Sequence, residues 1–178
     1  MKKMILAAAA ALFSLSATAA ELSFNNFEVR YSQLDFSCGS DCDGFGLKGS
    51  VEFNELFHGE LDYSRYSGGG DSASLAYLGF GARHQFNDQA AVYGLLGAVR
   101  ADVGDFDKTY GFAGVGVRGM LTENFEGEAL LRKVLKGGFD PSLKLSGTYF
   151  FTETVGAQLA IETSDGDTGG DIGLRINF

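Results

Sequence analysis

Residues 171–178 read DIGLRINF, and they close the chain. Ile172, Leu174, Ile176 and Phe178 alternate with Asp171, Gly173, Arg175 and Asn177, so an extended strand here has one apolar side and one polar side. The chain stops on an aromatic that belongs to the apolar side.

Alternation of this kind recurs along most of the sequence. The apolar set runs Phe27, Val29, Tyr31; Phe45, Leu47, Val51, Phe53; Leu61, Tyr63; Leu78, Phe80; Tyr93, Leu95, Val99; Ala113, Val115, Val117; Ala129, Leu131, Leu135; Leu143, Leu145, Tyr149; and Val155, Leu159, Ile161. Residues of the opposite parity carry the charges: Glu28, Arg30, Lys48, Glu52, Glu60, Asp62, Arg83, Arg100, Arg118, Glu126, Glu128, Arg132, Lys144, Glu162 and Arg175. Basic and acidic members are nearly balanced, which suits mutual pairing on a shared face.

Two classes of connection separate these runs. FNELF from Phe53, FNDQA from Phe86, LTENF from Leu121 and FTETV from Phe151 share an apolar residue followed by Asn or Thr, and they recur at intervals of 33, 35 and 30 residues. Between them lie stretches rich in Gly and Asp, near 35–44, 67–72, 103–108, 136–141 and 163–170. Four tight turns alternating with five looser loops divide the chain into ten strands, with eight as the alternative count, and leave both ends on the tight-turn side.

Composition bounds the class. The 26 Gly have no three-residue period and Pro occurs once, which excludes collagen-like and Pro-rich chains. Residues 1–20, MKKMILAAAAALFSLSATAA, pair two lysines with a short apolar run and small residues, the pattern of a secretory signal peptide. Without Lys2 and Lys3 the 14 basic residues fall to 12 against 23 acidic ones, a net charge of about −11 and the wrong sign for binding nucleic acid through its phosphates. The organisation read from sequence is a signal peptide at 1–20 and one β-domain at 21–178. A soluble sandwich would bury the apolar parity; strands with Phe at the turn ends instead fit a barrel with lipid outside and an aromatic belt at one interface.

The chain resembles the small Gram-negative outer-membrane β-barrels of the OmpA/OmpX-like superfamily in its terminal Ile172, Leu174, Ile176 and Phe178, and in DGFGLKGS (43–50), YLGFGARHQF (77–86) and YGFAGVGVRGMLTENFE (110–126). The resemblance implies an all-β, closed, antiparallel up-and-down transmembrane barrel. It also implies that the C-terminal strand is read by the barrel-assembly machinery, with periplasmic chaperones assisting export, and that the folded monomer sits among outer-membrane lipid and lipopolysaccharide.

Sites for chemistry are sparse. In an oxidising compartment Cys38 and Cys42 are expected to form a local disulfide across a five-residue ring, contributing roughly 2 kcal/mol at most. His58 and His84 lie beside tight turns, away from the Asp-rich loops, so no catalytic residue is assigned. The loop aspartates lack the spacing of a calcium loop, and no metal or cofactor is expected. The function read from sequence is a non-enzymatic outer-membrane barrel with a structural or surface-interaction role and an ion-paired, largely plugged interior. The alternative is a narrow channel for ions or small solutes.

Overall fold

The computed structural model describes residues 22–34, 42–68, 71–104, 106–136, 140–165 and 167–178. The expected signal peptide lies outside them, as does Cys38 of the expected disulfide. Ten strands follow in order: β1 (Asn26–Leu34), β2 (Cys42–Glu52), β3 (Phe57–Gly68), β4 (Asp71–Asn87), β5 (Ala90–Val103), β6 (Phe106–Thr122), β7 (Phe125–Val134), β8 (Ser142–Phe150), β9 (Val155–Ser164) and β10 (Asp167–Asn177). Each pairs antiparallel with the next, and β10 returns to β1 in register from Asn26↔Asn177 to Leu34↔Gly169. The fold is a closed up-and-down barrel, and closure leaves no strand edge seeking a partner.

The recurring turn motif has a physical explanation. Its Asn or Thr folds back on the main chain: Asn54 Oδ1 accepts from the amides of Leu56 (2.8 Å) and Phe57 (2.9 Å), Asn87 Oδ1 from Gln89 (2.9 Å), and Thr152 Oγ1 from Val155 (3.0 Å). A side chain that mimics a backbone turn fixes the reversal without Pro. At the opposite end three loops are shorter than the sequence suggests, since Gly68 pairs with Asp71, Val103 with Phe106 and Ser164 with Asp167. Gly104 and Asp165 occupy the left-handed region there, with φ of 59° and 51°, as two-residue hairpins require.

Every strand turns a large apolar side chain outward, among them Phe45, Leu61, Leu78, Leu96, Val115, Leu131, Leu145, Leu159 and Leu174. The C-terminal row Ile172, Leu174, Ile176 and Phe178 is fully part of this exposed face. Around the tight turns, exposed Phe53, Phe57 and Phe80 stack with centroids 5.4–6.0 Å apart, and Phe86 and Phe178 stand exposed at the same end.

One strand reverses the expected parity. Tyr93, Leu95 and Val99, expected outside, are buried inside, while Leu96 is 64% exposed and Arg100, expected inside, faces out. From Ala91 to Val99, β5 carries no charge, so alternation had nothing to anchor it and a one-residue slip exchanged the faces. The neighbour decides it: Tyr93 registers with Gly116 and Leu95 with Gly114, and a Cβ on Gly116 would occupy the Tyr93 ring.

Candidate functional site: the barrel interior

The lumen has three layers. At the tight-turn end, residues 22–25 enter the mouth before β1 begins. Phe24 is buried there, with its ring centroid 4.8 Å from His58 and 5.5 Å from Tyr93, and the guanidinium groups of Arg83 and Arg118 lie 4.7 and 5.0 Å from it. Main-chain bonds fix the segment: the Phe24 amide donates to Glu52 Oε1 at 2.8 Å, the Glu52 amide to Asn25 Oδ1 at 2.7 Å, and the Ser23 carbonyl accepts from Arg118 (3.1 Å) and Arg175 (3.0 Å). Arg83 completes the seat by pairing with Glu52.

The middle layer is ionic on one wall and apolar on the other. Glu126 accepts from Arg118 at 2.6 Å and from Arg175 at 2.7 Å, and Glu28 lies 3.8 Å from Arg175. Lys48 pairs with Glu60 at 3.2 Å, Arg30 with Asp62, and Tyr93 donates to Glu128, which also accepts from Ser146 at 3.3 Å. Desolvating such charges costs several kcal/mol per ion unless partners and hydrogen bonds compensate. On the facing wall Tyr93, Leu95, Val99, Phe112 and Leu130 pack together with Phe24 into an apolar wedge.

At the loop end the lumen opens into a cavity of about 450 Å³ lined by polar and aromatic side chains, including Tyr77, Tyr110, Arg132 and Glu162. Lys144 donates to Asp171 at 2.7 Å on its wall.

Of the charges placed inside from sequence, fourteen line this interior or its mouth, and Arg100 does not. It bonds Asp107 at 2.6 and 3.0 Å on the outer surface, where both side chains are more than half exposed. Sequence reasoning missed the Phe24 segment, the apolar wedge and Asp171. For Asp171 the signal was available, because it shares parity with Arg175 in β10. His58 is buried beneath Phe24, whereas His84 faces outward with its ring 5.2 Å from Phe86.

No protein-family model matches the chain, and no curated protein matches it. Among solved structures it is similar to the KdgM porin in complex with disordered oligogalacturonate, at 13% identity and a TM-score of 0.55, over 86% of this chain and 99% of the porin's. A second structure of the KdgM porin aligns over the same shares, at 13% identity and a TM-score of 0.52. At that identity the likeness carries the fold, a closed barrel of the kind found in outer-membrane porins.

Proposed function

We propose that the protein is an integral outer-membrane β-barrel, sealed at its periplasmic end, that serves as a non-enzymatic surface component and presents its loop-end vestibule outward. The observation that carries this reading is the seated Phe24 segment, backed by the Arg118–Glu126–Arg175 layer, which together occupy the lumen at the tight-turn mouth. The apolar girdle on all ten strands supports a lipid surround. Tight turns and both termini then face the periplasm, and the exposed Ile172, Leu174, Ile176 and Phe178 row is the surface offered to the assembly machinery. The barrel works as a monomer among lipid and lipopolysaccharide.

Planar-bilayer recording of the refolded chain lacking residues 1–20 tests the seal. A silent bilayer is expected from protein that migrates faster unboiled than boiled on SDS gels. Discrete, reproducible steps would replace the sealed reading with the narrow channel. The lipid surround has its own test: Leu159→Lys places a charge at the middle of β9 on the outer face and is expected to cost about 2–4 kcal/mol in urea unfolding from lipid vesicles. An unchanged midpoint would mean that this face does not meet hydrocarbon.

A further inference from the structure

Most charges in the lumen are matched, but the vestibule is lined by five that make no ion pair among the described residues, Asp140, Asp165 and Asp167 on the loop side together with Arg132 and Glu162. Its walls carry the Arg30–Asp62 and Lys144–Asp171 pairs. Arg132 of β7 and Glu162 of β9 also line it, and among the described residues neither makes an ion pair within 4.0 Å. Arg132 is 7% exposed, its Nε has no hydrogen-bond partner, and its guanidinium lies over the Tyr77 ring at 4.3 Å and 5.8 Å from that of Phe112. Glu162 is half-buried, and its charge acts on Arg132 across the gap without closing it. A plug built for stability alone would bring the two together, because an uncompensated buried charge is costly. Here the cation is held back on an aromatic platform and the anion remains open to the cavity.

We propose that the vestibule binds a small zwitterionic solute, with an anionic group and an ammonium group a few bonds apart, as in an amino acid. The anionic end takes Arg132, the ammonium takes Glu162, and the carbon chain between them lies against Tyr77 and Tyr110. A cavity of about 450 Å³ is within the range of small-molecule sites, roughly 300–1,000 Å³. Asp140, Asp165 and Asp167 also line the cavity on the loop side. They disfavour a ligand that is only anionic, and one that is only cationic leaves Arg132 without a counter-charge. The site deepens the surface-component reading and rests on it for access from outside.

Isothermal titration of the refolded barrel with 4-aminobutyrate and 6-aminohexanoate, beside butyrate and butylamine, tests the site. Saturable binding is expected for at least one amino acid, at least tenfold tighter than for either monofunctional compound. Glu162→Gln and Arg132→Met are each expected to weaken it at least tenfold, with Arg132→Lys retaining part of it. Should Arg132→Met fail the gel-shift test of folding, Glu162→Gln decides alone. The proposal is overturned if the folded barrel binds neither amino acid, if monofunctional compounds bind equally well, or if the folded variants bind as the parent does. Conductance separates the two readings: a silent barrel that binds no zwitterion loses this site and keeps the seal, whereas a conducting one loses the seal.

Discussion

Arg175→Met is expected to lower the stability of the barrel by about 3–5 kcal/mol, the range for leaving a buried partner charge uncompensated, read as a drop in the urea midpoint in lipid vesicles. The side chain is 0% exposed, and each face of its guanidinium is used. Nη1 donates to Glu126 at 2.7 Å, Nη2 to the Ser23 carbonyl at 3.0 Å and Nε to Asn177 at 3.0 Å, with Glu28 at 3.8 Å. Met fills much of the volume and supplies none of these donors. Glu28 then loses its ion-pair partner, and Glu126 keeps only Arg118.

The outer pair Arg100–Asp107 is the internal control. Its geometry is bidentate, at 2.6 and 3.0 Å, yet its side chains are 59% and 53% exposed. Arg100→Met is therefore expected to cost less than about 1 kcal/mol, because water and salt screen an exposed pair. Glu28→Gln added to Arg175→Met should recover part of the loss by removing the stranded charge, since Arg175 is the ion-pair partner of Glu28. Equal midpoints for Arg175→Met and Arg100→Met would show that the interior ions do not hold the barrel together, and that water reaches them.

The features legible in the sequence were those where physics leaves a periodic trace. Asn54, Asn87 and Thr152 announce the tight turns because each side chain performs the same backbone bond at the same place in the motif. Parity in β10 was legible because Arg175 and Asp171 stand on one side of the strand and Ile172 and Leu174 on the other. In β5 that contrast disappears: Val92, Tyr93, Leu95 and Leu96 supply apolar bulk to both faces, and the outcome depends on the glycines of β6, which a single-strand reading does not consult. The inner residues of the candidate site divide the same way. Arg118 and Glu126 were placed by alternation, whereas the relation between Arg132, Tyr77 and Glu162 needs three strands at once. The loop lengths were overestimated because Asp and Gly were taken for turn residues where Asp71, Asp107 and Asp167 instead continue the strands to their ends.

Phe24→Ala is expected to convert a silent barrel into one that opens. Phe24 left a faint trace in sequence, a large aromatic on the same parity as Glu28 and Arg30, but it precedes the first periodic strand and carried no pattern of its own. In the structure its ring lies buried in the tight-turn mouth, against His58, Tyr93, Arg83 and Arg118. Burial of its ring contributes about 2 kcal/mol, and the two guanidinium contacts add about 1 kcal/mol. Losing about 3 kcal/mol raises the unseated fraction roughly 100-fold, at 1.4 kcal/mol per factor of ten. The anchors that remain, Glu52 on the Phe24 amide and the Ser23 carbonyl, bind backbone and survive the substitution, so the segment is expected to flicker rather than leave. Brief, discrete openings in a planar bilayer are the signature, with Phe24→Leu intermediate because it keeps the burial and loses the ring. A folded Phe24→Ala barrel as silent as its parent would move the seal to the Arg118–Glu126–Arg175 layer, and the Arg175→Met variant would then be the one to conduct.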